Sequence, residues 1–273
     1  RLSTSPGKVR TGILDTDATA QGEPAWLTIG VASSALFDLT ESDAVFKEQG
    51  EAAYTAFQRA NVDKTLLPGV AFPFVRRLLS LNEIGQAGQR LVDVVVLSRN
   101  SPDTGLRVLD SAVFHGLDVR RAIFTEGKSP YVYMSTLGMS LFLSADARDV
   151  KGAVELGFPA GQVLPSLAID DPNDHELRIA FDFDGVLADD SADSVFLDGG
   201  LDAFNSSEAI QQRVPLPPGP LNGLLEAINR IQRLEEDLVA ADASYRRRIQ
   251  VSIVTARGVP SHARPVHSLE AWG

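Results

Sequence analysis

The sequence resembles itself. Written without a gap, LTIGVASSALFDLTESDAVFKEQGEAAY (27–54) over LRIAFDFDGVLADDSADSVFLDGGLDAF (177–204) gives seven identities, where average residue usage would give roughly two by chance. The same offset of 150 carries Pro68-Gly69 onto Pro218-Gly219, each opening a helical pattern. After a connection seven residues longer in the second copy, VVVLS (94–98) falls on VSIVT (251–255) and Gly116 on Gly273. A repeat constrains the fold strongly, because what one copy builds the other must also be able to build. We expect one fold used twice. The first copy runs on from Leu117 through two further strand patterns and a helix to about Pro165, whereas the second ends at Gly273. By that internal standard roughly fifty residues are lacking at the C-terminus. The chain also starts with Arg rather than Met, so a fragment of a longer protein is expected.

The kind of fold follows from patterning. Short β-branched runs alternate with helical patterns: LTIGVA (27–32), VDVVVLS (92–98), RAIFT (121–125), SLFLSA (140–145), QVLP (162–165), LRIAFD (177–182) and VSIVT (251–255). Strands spaced by helices form parallel sheets, so the expected class is α/β, with two tandem doubly wound, Rossmann-like domains. Leu221, Leu224, Leu225, Ile228, Ile231 and Leu234 mark one apolar helix face after Pro217-Pro218-Gly219-Pro220. The expected organisation is a flexible tail over 1–25, a first repeat over 26–168, a polar linker over 169–176 and a second repeat over 177–273.

Composition excludes several functions. No cysteine means no disulfide scaffold, thiolate metal site or cysteine nucleophile. With 25 Lys+Arg against 36 Asp+Glu, the net charge of −11 opposes binding to nucleic acid polymers or anionic lipid, and favours a small substrate. No apolar run reaches the ~18 residues of a membrane span. A cytoplasmic protein is expected, with a homo-oligomer left open.

The sharpest motif is Asp182-Phe183-Asp184-Gly185-Val186, directly after the strand pattern LRIAF. Two carboxylates at the C-terminal end of a parallel strand lie where open α/β sheets bind ligands. One can attack phosphorus as an anion while the other delivers and recovers a proton. Gly185 permits a tight turn whose N–H groups can face phosphate oxygens. Carboxylates and phosphate repel one another, and Mg²⁺ held by oxygens, here Asp182 and Asp184, cancels that repulsion. Thr255 and Ala256, at the tip of the strand pattern VSIVT, are suited to gripping a second phosphate oxygen.

The pattern hhhhDxDGV followed by hhhT resembles motifs I and II of the haloacid-dehalogenase-like phosphohydrolases. More closely, ALFDLTESDAVF (35–46), AFPFVRRLL (71–79), LSRNSPDTGLRV (97–108), SPYVYM (129–134), LFLSADARDV (141–150), RIAFDFDGVLADDSADSVF (178–196) and VTARGVPSHARPVHSLEAWG (254–273) look like the cytosolic 5′-nucleotidase type I family. The resemblance runs from about residue 26 to the end. It implies Mg²⁺-dependent hydrolysis of nucleoside 5′-monophosphates through an aspartyl-phosphate. Asp182 would then be the nucleophile, Asp184 the general acid/base and Thr255 the phosphate-binding hydroxyl. The lysine and second acidic pair that such enzymes place further on have no matching residues here. A non-catalytic nucleotide- or phosphate-binding protein, or a phosphatase of another small phosphomonoester, are the alternatives.

In the first copy Ala32 stands opposite Asp182 and Ser34 opposite Asp184, so the same chemistry is not expected there. Ser98, opposite Thr255, with Lys128 and Asp146 forms a candidate second phosphate site; otherwise this copy serves packing. Asp38, Glu41 and Asp43 read as a helix N-terminus. Ser101 or Asp103 is expected to cap a helix over Thr104–Phe114. His115, His175, His262 and His267 lack metal-ligand spacing, and Arg246-Arg247-Arg248 reads as a solvated loop.

Overall fold

The computed structural model describes residues 24–259 and 261–273, so the tail expected over 1–25 lies, except for its last two residues, outside the described part. The chain divides into two compact units. One runs to Asn82 and resumes over Ala87–Asp170; the other comprises Glu83–Gln86 and Asp171–Gly273.

In the first unit the order is β1 (Leu27–Ala32), a single turn α1 (Ser33–Leu36), α2 (Thr40–Ala60), α3 (Phe72–Ser80), β2 (Val92–Ser98), α4 (Pro102–Phe114), β3 (Arg121–Phe124), β4 (Leu141–Ser144), α5 (Ala147–Glu155) and β5 (Ala160–Gln162). The strands form one sheet in the order β3-β2-β1-β4-β5, and every pair is parallel. All six residues of β1 and all seven of β2 are buried, as a nearly continuous apolar run requires when helices cover both faces. Asp93 inside β2 is tolerated because Arg90 and Arg121 both pair with it. From β1 the chain builds outward through β2 and β3, then crosses to β4 on the other side. The loops after β1 and β4 therefore diverge at a switch point.

Strand β3 is shorter than the expected 121–125 by one residue at its end, β4 is shorter than 140–145 by one residue at each end, and two boundaries differ by more. The final strand is Ala160–Gln162 and not 162–165; Val163 still donates to Ser144 O, but β4 ends there and Leu164 is left exposed. Helix α4 begins at Pro102. Ser101 occupies its N-cap position without accepting a backbone N–H, its hydroxyl lying 3.0 Å from Thr104 Oγ1 instead.

The second unit comprises β6 (Leu177–Asp182), a turn over Phe183–Leu187, α6 (Ser191–Ile210), α7 (Asn222–Ala241), β7 (Ile249–Val254) and α8 (Ala263–Trp272). Strands β6 and β7 pair in parallel from Leu177↔Ile249 to Asp182↔Val254. Among the described residues this sheet has two strands, the two that the strand patterns gave for the second copy, and β6 exposes alternate residues where β1 exposes none. On α7, Leu224, Leu225, Ile228 and Ile231 are buried, the face that its spacing predicted.

Local geometry recurs between the units. A bridge joins Phe37 to Pro68 and another joins Ala188 to Pro218. The long helices α2 and α6 are interrupted at Gly50 and Gly200, with φ of 82° and 73°, values that glycine adopts without a steric penalty. Leu66 N donates to Ser111 Oγ at 2.9 Å, and Leu216 N donates to Ser268 Oγ at 3.0 Å. Arg107 Nε donates to Lys64 O at 2.7 Å, and Arg264 Nε to Val214 O at 2.8 Å. Asn82 Oδ1 accepts the amides of Leu91 and Val92 at the entry to β2, while the buried Glu235 accepts those of Arg248 and Ile249 at the entry to β7.

One difference corrects the ungapped register. The turn after β1 closes from Phe37 N to Ser33 O, that after β6 from Ala188 N to Phe183 O, so the second is one residue longer. Gly185, at φ 69°, accommodates the addition. Consequently Asp38, which accepts from Thr40, corresponds to Asp189, which accepts from Ser191. The offset of 150 is restored within the helices, by Gly50 and Gly200.

Gly69 and Gly219 both sit against backbone. A Cβ on Gly69 would lie 2.6 Å from Ala35 O, and one on Gly219 2.3 Å from Ala188 O. Gly219→Ala is expected to destabilise the second unit by about 1–3 kcal/mol, seen as a lower urea midpoint at unchanged slope. An unshifted midpoint would contradict this close approach.

Candidate active site

Strand β6 delivers Asp182 to the carboxyl end of the second sheet, and the turn that follows carries Asp184 two residues on. Asp182 is exposed, and its Oδ1 accepts the Phe183 amide at 2.8 Å. Phe183 is fully buried and stacks on Trp272, ring centroids 6.0 Å apart. This apolar anchor separates the two carboxylates.

The neighbouring strand ends level with Asp182. Thr255, Ala256 and Gly258, just beyond β7, are exposed, and Thr255 Oγ1 accepts the Arg257 amide at 3.2 Å. The sheet thus brings Asp182 and Thr255 to adjacent strand ends, as expected.

The sequence reading missed what Arg257 does. Its Nε donates to both Asp184 oxygens, at 3.1 and 2.9 Å, and its Nη2 to Asp184 Oδ1 at 2.5 Å. Its Nη1 pairs with Glu208 of α6, and Glu208 Oε1 is held by Arg264 Nη1 at 2.7 Å. The Arg257 guanidinium also lies over the rings of Phe183 and Phe204, 5.6 and 5.1 Å from their centroids. The Arg257 side chain is 3% exposed and that of Glu208 1%, against 20% for Asp184. Burial works to lower the Arg257 pKa. The hydrogen bonds and charges of Asp184 and Glu208 outweigh it and leave the group above the ordinary arginine value.

The donor set consists of hard carboxylate oxygens, which suits Mg²⁺. Asp182 is open to solvent, whereas both oxygens of Asp184 are engaged by Arg257. Among the described residues, no group of three or more His, Cys, Asp or Glu stands where it could hold a metal ion.

At the corresponding place in the first unit, Ala32 ends β1. Ser33 Oγ lies 3.3 Å from Ser98 Oγ, and Ser98 Oγ accepts the Asn100 amide. Asp146 caps α5 by accepting Arg148 N at 2.8 Å and is gripped by the Arg148 guanidinium; that side-chain bond, the largest influence, holds its carboxyl below the usual range. Lys128 is exposed after β3. Strands β3 and β4 are three strand spacings apart in the sheet, about 14 Å. Ser98, Lys128 and Asp146 therefore rise from separate strands, and no hydrogen bond joins them. A different cluster forms here: Arg99 Nη2 donates to Tyr131 OH, which donates to Asp149 Oδ1 at 2.6 Å. Burial, reinforced by that bond to Asp149, pushes the Tyr131 hydroxyl up to about 12.

The remaining candidates have structural roles. Asp38 accepts from Thr40 at the start of α2, with Glu41 and Asp43 in its first turn. His115 packs against Phe37 and Phe72, and His267 faces Glu270.

Comparison with known proteins gives a consistent family assignment. A family model described as 5′-nucleotidase matches residues 19–273. Human cytosolic 5′-nucleotidase 1B is 31% identical over 252 residues, covering 90% of this chain and 41% of that protein. The chain thus spans about two fifths of the length of this curated relative. No solved structure matches it.

Proposed function

This chain belongs to the 5′-nucleotidase family, and on that premise we propose that it hydrolyses nucleoside 5′-monophosphates to nucleoside and phosphate at the Asp182–Asp184 turn. The observation that carries the reading is Asp182, exposed at the end of β6 and paired with Val254, the residue before Thr255. Asp182 attacks phosphorus, the bond to the 5′ oxygen breaks, and the leaving oxygen takes a proton from Asp184. Water then attacks the aspartyl-phosphate, giving its proton to Asp184 and regenerating the Asp182 carboxylate. Thr255, with the amide of Ala256, supports the phosphate oxygens; the Gly185 amide, expected to do the same, instead donates to Asp189 O at 3.4 Å. Mg²⁺, when bound through the Asp182 carboxylate, would neutralise charge between carboxylate and phosphate; the Asp184 oxygens are engaged by Arg257.

The two units are read as copies of one fold, the first without the carboxylates. The repeated bridges, glycine interruptions and Ser111 and Ser268 hydrogen bonds support this reading. The proposed compartment is the cytosol, as the relative's name has it. Among the described residues no helix is long and apolar enough to cross a membrane.

Phosphate release from a panel of nucleoside monophosphates and other small phosphomonoesters tests the proposal. The expected result is Mg²⁺-dependent turnover of the nucleotides, abolished by chelation and restored by added Mg²⁺. Binding without turnover, or preference for a non-nucleotide ester, would count against it.

A further inference from the structure

We propose that Arg257, fastened by Glu208, is a positioning residue of the hydrolysis site, holding the Asp184 carboxylate in the orientation from which it exchanges its proton. The inference rests on Asp184 being the acid/base of the proposed function.

Comparison between the units carries the argument. Arg264 has its counterpart in Arg107, Ser268 in Ser111, and the carbonyl of Val214 in that of Lys64. That part of the framework is shared whether or not an acid pair is present. Three other positions change together. Asp184 stands opposite Ser34, Arg257 opposite Asn100, and Glu208 opposite Gln58. In the first unit Gln58 Nε2 donates to Tyr54 OH at 3.1 Å and Arg107 Nη1 donates to Gln58 Oε1 at 3.3 Å. Asn100 lies beside the Tyr54 hydroxyl, and the counterpart of Tyr54 is Phe204, one of the rings beneath Arg257. The chain Asn100, Tyr54, Gln58, uncharged up to the shared arginine Arg107, therefore fastens the first unit's long helix. The charged chain Asp184, Arg257, Glu208, Arg264 stands in its place in the second.

Fastening α6 does not itself need the extra charges, since neutral groups do the same work for α2. Burying an arginine and a glutamate is costly unless each is well paired, and here both accompany the carboxylate. A planar guanidinium bonded to both oxygens fixes the angle of a carboxylate as well as its position. The rings of Phe183 and Phe204 in turn restrict the guanidinium. Asp184 Oδ1 accepts two Arg257 bonds and Oδ2 one. Each carboxylate oxygen offers two lone pairs, so Oδ2 retains one for the proton it receives and returns.

The test uses the full 273-residue chain. Arg257→Asn combined with Glu208→Gln places the first unit's asparagine and glutamine at these two positions and is expected to leave circular dichroism unchanged. The kcat on a nucleoside monophosphate should fall by about 10–100-fold, the scale of a small misplacement of a reacting group, with KM nearly unchanged. Arg257→Lys, which keeps the charge and loses the fork, should recover only part of the loss. Wild-type kcat in the double variant, full recovery with lysine, or a loss carried by KM alone would overturn the proposal. A second readout needs no turnover. The Nε–H resonance of Arg257 in nitrogen-labelled protein should be protected from exchange and should shift in both Asp184→Asn and Glu208→Gln. Insensitivity to either change overturns the coupling. If the unaltered chain hydrolyses no nucleotide, the functional reading falls and this resonance still decides whether the three residues act as one unit.

Discussion

Asp182→Asn is expected to reduce turnover of nucleoside monophosphates by at least three orders of magnitude, about the loss that follows removal of a covalent nucleophile. The fold should not change. Asp182 is exposed at the end of β6, and its one described hydrogen bond, from Phe183 N to Oδ1, can be made equally well by the asparagine oxygen. Melting temperature and circular dichroism should therefore match the unaltered chain while phosphate release disappears. Retention of more than about a tenth of the rate would remove Asp182 from the nucleophile role. Asp184→Asn should also impair turnover. It leaves the attacking anion in place, and it replaces a charged partner of Arg257 by a neutral one.

Glu208→Ala is expected to have the largest effect on stability. Glu208 is 1% exposed and lies between two guanidiniums, Arg257 and Arg264, themselves nearly buried. Removing the shared anion leaves Arg264 with only the Val214 carbonyl among its described partners. Breaking a buried pair from one side costs about 3–5 kcal/mol, so the melting transition of the second unit should fall by on the order of 10 °C or more. Glu208→Gln should cost considerably less, because Gln58 already serves Arg107 in this way in the first unit. Thermal unfolding followed by circular dichroism separates the two. A loss below about 1 kcal/mol for Glu208→Ala would mean that water or a rearranged Asp184 replaces the missing anion.

The parallel sheet was legible because its central strands are continuous apolar runs. VDVVVLS (92–98) and LTIGVA (27–32) coincide with β2 and β1. Strand ends were less legible, because they are set by the partner and not by the residue. β7 begins at Ile249, two residues before the apolar run suggested, since Leu177 on β6 pairs there and Glu235 supplies acceptors for the entering amides. The reverse happens at Leu164, which is apolar but exposed beyond the end of β4. In the site, Asp182, Asp184 and Thr255 were legible from strand-end position. Gly185 was recognised as a turn residue, but its role as an added residue was hidden because the helix that follows gives the residue back. The Arg257 and Glu208 pair was hidden for a different reason. These residues are 49 apart in sequence, and no local pattern links them. The signal was nevertheless present in the repeat, where Asn100 and Gln58 stand at the matching positions.

In the proposed reaction the phosphoryl group passes through Asp182 of this chain. The most direct test is to mix the protein with a nucleoside monophosphate labelled in the 5′-phosphate and Mg²⁺, quench within a turnover, and locate any label by mass spectrometry of peptides. A single acid-stable, base-labile phosphoryl group is expected on Asp182, absent from Asp182→Asn and longer-lived in Asp184→Asn. Phosphate release with no labelled peptide in either the unaltered chain or Asp184→Asn, or label on any other residue, would contradict it.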